Sequence, residues 1–295
     1  MNAATLFGWP TDTAVSDRGA VEVIGVPSDF GNGITSGARF GPAAIRKASL
    51  AMTCAVAGVD RGDIGRDRRG DWQDVLAEVE QIVGDMIRRR VRPIVLGGDH
   101  GISYAAVAAA RTFRPLNVVW FDAHTDFCRP TGEDCHDHKQ VLHRIAALPH
   151  VGQILQVGHR GMTYFDEIAR FTRLSVITAR EAYGVTTDEL LRQLPVDEPV
   201  YLSMDIDALD PRWAPGTGHP VPGGFSVARL GELARTIAEH RQVVGIDLME
   251  VNPMLDIDGK TSAAAAALIA VVVPALCRTT AIDKDAARLT DGGRD

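Results

Sequence analysis

Cysteine is scarce in this chain: Cys54, Cys128, Cys135 and Cys277 are the only four in 295 residues. That is too few for a disulfide scaffold of this length, so the fold must rest on a packed core. Cys128 and Cys135 lie close enough in sequence to pair, although reduced thiols are expected in the cytoplasmic setting predicted here. No block rich in Lys and Arg occurs, and acids outnumber bases, 38 against 31, for a formal charge of −7. Nucleic acid is therefore not an expected partner. Long apolar runs are also absent. Ala263 to Cys277 contains Pro274 and falls short of the ~20 residues that span a bilayer, so it reads as a core helix. Met1 to Asp17 lacks the basic and apolar regions of a secretory signal. No membrane partner is expected.

What is present is an apolar fraction of 45%, ample for the core of one large α/β domain. No repeat or linker divides the chain. Residues 1–295 read as a single domain, with 1–20 and 284–295 expected to be loosely ordered ends.

Strand-like and helix-like segments alternate throughout. Strands are predicted at Val21 to Val26, Pro93 to Leu96, Asn117 to Phe121, Ile154 to Val157, Leu174 to Ile177, Val200 to Met204 and Val243 to Leu248. A helix is expected from Ala43 to Ser49, with Pro42 suited to a first helical position. From Trp72 to Ile87, apolar residues recur at the spacing of one buried helical face, with Asp71 as the expected N-cap. A further helix should run to about Ala110. Alternating units of this kind imply a three-layer α/β/α fold with a mostly parallel central sheet.

Four of these strands end in polar residues. His100 follows Ile94-Val95-Leu96, and Asp122, His124 and Asp126 follow Val118 to Phe121. Asp205 and Asp207 follow Tyr201 to Met204, and Glu250 follows Val243 to Met249. Ligands of open parallel sheets bind beyond the carboxyl ends of the strands, so one rim should collect all of them. Alternate residues of extended chain point the same way. Carboxylates so gathered repel unless divalent cations neutralise them. Two imidazoles and four Asp, with no thiolate required, suit two ions of a hard to borderline metal such as Mn²⁺ rather than a structural zinc. Such a centre supplies an activated water for hydrolysis.

Gly97-Gly98-Asp99-His100, Asp122-Ala123-His124-Thr125-Asp126 and Ser203-Met204-Asp205-Ile206-Asp207-Ala208-Leu209-Asp210-Pro211 resemble the signatures of the ureohydrolases, the arginases, agmatinases and related amidinohydrolases. Gly37 to Pro42, Ala214-Pro215-Gly216-Thr217-Gly218 and Asp247 to Pro253 extend the resemblance over most of the chain. The resemblance implies that His100, Asp122, Asp126 and Asp205 hold one manganese and that Asp122, His124, Asp205 and Asp207 hold the other. Asp122 and Asp205 would bridge. It further implies that Glu250 receives the substrate guanidinium, that Asp126 accepts a proton, and that His138 shuttles protons, with His136 competing for that place. The expected reaction converts a guanidino group to a primary amine and urea. Trimers or hexamers are the assembly that the resemblance suggests.

Ala214 to Gly218 looks more like agmatinases and guanidino-acid hydrolases than arginases. Agmatine is the first substrate expected, then acids such as 4-guanidinobutanoate, then a secondary-metabolite guanidine. Arg129 could clamp a carboxylate, whereas Glu133, Asp134 or Asp137 could accept an amine. Three residues depart from the family pattern: Lys139 replaces a usual Gly, His219 a usual Thr, and His159 a usually aliphatic residue. Two rivals stand beside this reading. A two-metal phosphoesterase also uses Asp-x-His, but its Gly-Asn-His and Gly-His-x-His segments are missing. A catalytically silent metal-binding homologue has no evident need for all six ligands.

Overall fold

Strands with no polar alternation need cover on both faces, and the computed structural model of the protein supplies it. It describes residues 4–11, 20–31, 35–65, 72–129, 137–161 and 171–278. Asp71, Cys135, His136 and the 284–295 tail lie outside the described residues, as do Glu133 and Asp134.

Eight strands form one sheet: β1 (Val21–Val26), β2 (Val59–Asp63), β3 (Arg92–Gly97), β4 (Leu116–Phe121), β5 (Val151–His159), β6 (Leu174–Thr178), β7 (Val200–Asp205) and β8 (Val243–Met249). Their order is β2-β1-β3-β8-β7-β4-β5-β6, and every pairing is parallel rather than most of them. Among the described residues, the α-helices are α1 (Gly41–Ser49), α2 (Trp72–Arg88), α3 (Ser103–Ala109), α4 (Val141–Ala146), α5 (Ala179–Gly184), α6 (Thr187–Leu191), α7 (Val227–His240) and α8 (Lys260–Arg278).

Period-two alternation sorts the core into two halves. Val119, Phe121, Leu202, Met204 and Ile246 join Ile45 of α1, Leu230 and Ile237 of α7 and Ile269 and Val272 of α8 on one face. Val95, Val118 and Trp120 join Val79 and Val83 of α2, Ala106 of α3 and Ile145 of α4 on the other. The expected three layers result.

One strand was not foreseen, and two sequence expectations are revised. The edge strand β2, Val-Asp-Arg-Gly-Asp, has no apolar run to announce it. It is held instead by charge: Arg46 donates from Nε to Asp60 Oδ2 (2.7 Å) and from Nη2 to Asp60 Oδ1 (2.8 Å). Within residues 4–11, placed among the loose ends, Leu6 and Trp9 are buried, and the Leu6 N–H donates to Asp60 Oδ2 at 2.7 Å. Finally, α8 has 19 residues and is by length and composition apolar enough to cross a membrane, so the length argument fails. Its place in the fold gives the better reason. It packs against α7 and α1, and 61% of its most apolar window is buried.

Candidate metal centre

The four central strands of the sheet, β3, β8, β7 and β4, are the four that end in the polar residues singled out from sequence. Chain order hides this, because β7 and β8 insert between β3 and β4. The insertion brings His100, Glu250, Asp205, Asp207 and the Asp122–Asp126 turn to one rim.

There His100 Nδ1 faces Asp205 Oδ2 at 3.0 Å, Asp122 Oδ2 at 3.3 Å and Asp126 Oδ2 at 3.6 Å. His124 Nδ1 lies 2.9 Å from Asp207 Oδ2 and 3.6 Å from Asp122 Oδ1. Two groups able to hold a metal ion result among the described residues, His100–Asp122–Asp126 and Asp122–His124–Asp207, and they share Asp122. Asp205 borders the first group through His100 and accepts the Asp207 N–H at 2.8 Å.

The hydrogen bonds behind His100 fix its tautomer. Ser203 Oγ donates to Asp247 Oδ1 at 2.7 Å, so the 2.9 Å contact from His100 Nε2 to Ser203 Oγ has the imidazole as donor. In the neutral ring, Nδ1 then carries the lone pair. It is buried, has no hydrogen-bond partner, and points among three carboxylates. A lone pair so placed asks for a cation. The donor set of imidazole nitrogen and carboxylate oxygen fits a divalent ion such as Mn²⁺.

Electrostatics report the same crowding. Burial opposes protonation of His100, but Asp122 and Asp205 outweigh it and raise its pKa well above the ordinary value. His124, likewise opposed by burial, is pushed up to about 12 by Asp122 and Asp207. Burial and neighbouring acids raise Asp126, Asp205, Asp207 and Glu250. For Asp122, the two imidazoles overcome burial and lower it.

Neighbours hold the ligands in place. Trp120 stacks on His100 at 3.9 Å between ring centroids and donates from Nε1 to Asp122 Oδ2 at 2.9 Å. The Ala123 N–H donates to Asp207 Oδ1 at 3.0 Å, tying the β4 turn to β7. Gln156 Nε2 donates to the carbonyls of Asp122 (3.0 Å) and His124 (2.9 Å). A Cβ on Gly161 would stand 2.6 Å from His124 Cδ2, so this position leaves room only for Gly. Asp126 (φ 46°) and Glu250 (φ 64°) adopt the left-handed region that ordinary residues avoid, a cost that accumulates at functional sites. Glu250 Oε1 also accepts the His100 N–H at 2.8 Å.

The rim opens into a cavity of about 250 Å³ lined by Asp126, Asp205, Asp207, Glu250, His124 and His138, with Thr125, Cys128, Lys139, Thr217 and His219 completing the wall. His138 is held by its Nδ1 against the Gly31 carbonyl at 2.6 Å, and burial lowers its pKa. Arg129 is exposed and is not part of this wall. His159 is buried but lines a neighbouring cavity of about 690 Å³ with Arg160 and Thr178. The Cys128–Cys135 pairing, with Cys135, lies outside the described residues.

Sequence reasoning gave no role to Ser203, Asp247, Trp120 or Gln156. A Ser and an Asp inside otherwise apolar strands were the available signal. The register pairs Ser203 with Asp247 across β7 and β8, which only the strand order could supply.

A family model described as the arginase family matches residues 19–273. Proclavaminate amidinohydrolase from Streptomyces clavuligerus is 34% identical over 265 residues, 82% of this chain and 83% of that protein. Its solved structure superimposes with a TM-score of 0.83 over 94% of this chain and 98% of that one. An agmatinase from Neisseria meningitidis is 34% identical over 83% of each chain. Human mitochondrial guanidino acid hydrolase is 31% identical over 88% of this chain and 79% of its own length.

Proposed function

The chain belongs to the arginase family of hydrolases, and from that premise we propose that it cleaves the guanidino group of a small linear substrate to a primary amine and urea. The observation that carries this reading is the pair of ligand groups sharing Asp122, whose members His124, Asp126 and Asp207 line a cavity that also contains Glu250. We assign His100, Asp122, Asp126 and Asp205 to one Mn²⁺ and Asp122, His124, Asp205 and Asp207 to a second. When bound, the two ions supply water activated near neutral pH.

The chain's own residues do the rest. Glu250 receives the guanidinium through charge-assisted hydrogen bonds and fixes its central carbon beside the carboxylate cluster. Asp126 accepts a proton as the carbon becomes tetrahedral. His138, on the cavity wall and free of direct contact with the carboxylate cluster, carries a proton to the departing amine. The two leading substrate candidates differ at the tail. Agmatine, first on the Ala214–Gly218 motif, ends in an ammonium group, and 4-guanidinobutanoate ends in a carboxylate.

We place the enzyme in the cytoplasm, as one domain spanning 1–295 that assembles into trimers or hexamers. Exposed Trp213, Met254, Leu255 and Ile257 offer apolar surface for that assembly.

Urea release from a panel of guanidines by the Mn²⁺-loaded protein tests the reaction. Release from at least one is expected. Silence across the panel with two ions bound would favour the silent homologue, and hydrolysis of an aryl phosphate in its place would favour the phosphoesterase.

A further inference from the structure

All four carboxylates on the described cavity wall, Asp126, Asp205, Asp207 and Glu250, already serve the cations or the guanidinium. Among the described residues, what remains to meet the rest of the substrate is Thr125, Cys128, Lys139, Thr217 and His219. This remainder holds one ammonium group, one imidazole, two hydroxyls and a thiol. Among the described residues it holds no acid.

Asp137, next but one to Lys139, does not supply the missing charge. It is not part of the wall, and its Oδ1 accepts the Lys139 N–H at 3.0 Å while standing 3.5 Å from His138 Nδ1. His219 is set between the two site histidines, its ring centroid 5.2 Å from His138 and 6.2 Å from His124. It lines the cavity, and in either protonation state its ring brings an N–H that can donate.

An ammonium tail entering this wall meets like charge at Lys139 and leaves water without gaining an acid among the described residues. A carboxylate tail meets the Lys139 charge and a ring donor, the strong class of hydrogen bond. Resting on the guanidine-hydrolase reading, we infer that the substrate is a linear guanidino acid rather than agmatine, with Lys139 and His219 as the pair that determines specificity. Both fall on this one wall.

The test compares urea release from 4-guanidinobutanoate and agmatine, which share a four-carbon chain, by the full-length Mn²⁺-loaded protein. The acid is expected to have a kcat/KM higher by about tenfold or more, the worth of one good charge-assisted contact. Lys139 is exposed, so Lys139→Glu should fold. It should raise KM for the acid about tenfold, hold kcat within about threefold, and lower KM for agmatine, because a binding contact to the tail is lost or reversed. Lys139→Met and His219→Thr should each narrow the preference without inverting it. Agmatine preferred by the unmodified protein, or an unchanged ratio in Lys139→Glu, would overturn the inference while leaving guanidine hydrolysis intact. Urea from neither compound, nor from any other guanidine, would overturn both.

Discussion

His100 Nε2 lies 2.9 Å from Ser203 Oγ, and this contact decides which nitrogen of the ring faces the carboxylates. Behind Ser203 stands Asp247, fully buried, raised in pKa by burial, and accepting the Ser203 proton at 2.7 Å. Partners of this kind orient metal-binding imidazoles, and losing one typically costs about 10–100-fold in metal affinity. Ser203→Ala should therefore weaken Mn²⁺ retention by that order, read by titration against a chelator, with the fold preserved by circular dichroism. Unchanged affinity would mean that the serine is mere packing.

His138 stands on the cavity wall apart from the carboxylate cluster, so its loss should separate metal binding from turnover. His138→Asn should retain the metal content of the unmodified protein while kcat falls by about 10²-fold or more, the usual worth of a positioned acid–base group. Loss of bound metal in this variant would place His138 among the ligands instead.

Asp210 ties the loop after β7 to itself. Its Oδ1 accepts from Arg212 Nε at 2.8 Å and from the Arg212 N–H at 3.0 Å, and its Oδ2 accepts from the Gly223 N–H at 2.8 Å. Burial alone would raise its pKa, but these donors outweigh burial and lower it from 3.8 to about 2. A folded pKa below the unfolded one means stabilisation that is complete above the unfolded value of 3.8 and lost as pH falls through about 2. Asp210→Asn should thus cost about 2 kcal/mol at neutral pH, or roughly 4 °C in Tm for a chain of this size. The gap in Tm should close as pH approaches 2. A gap independent of pH would show that shape, not charge, holds the loop.

How far the sequence could be read follows from the kind of signal each part carries. The six ligand candidates were legible because each sits where an apolar strand ends, and strand ends of a parallel sheet share a rim. Helix α2 was legible from Trp72, Val75, Val79 and Val83 on one face. β2 was not, because ion pairs of Arg46 with Asp60 over 14 residues leave no local pattern. The caps of α5 and α6 carry a local signal, although neither helix was predicted above. Thr178 with Glu181 and Thr186 with Glu189 form capping boxes plainly written three residues apart. Arg160 directly follows His159, yet its Nη2 contacts to the carbonyls of Asp207 (2.6 Å), Leu209 (3.1 Å) and Val221 (2.8 Å) depend on loops distant in sequence. The unpartnered Nδ1 of His100 depends on three strands at once, and no window of sequence contains it.

The most direct test counts and locates the metal. Crystals of the Mn²⁺-loaded protein, measured at the manganese absorption edge, should show two anomalous peaks per chain. One should lie among His100, Asp122, Asp126 and Asp205, the other among Asp122, His124, Asp205 and Asp207. A solitary peak, or side chains turned away from both, would contradict the account.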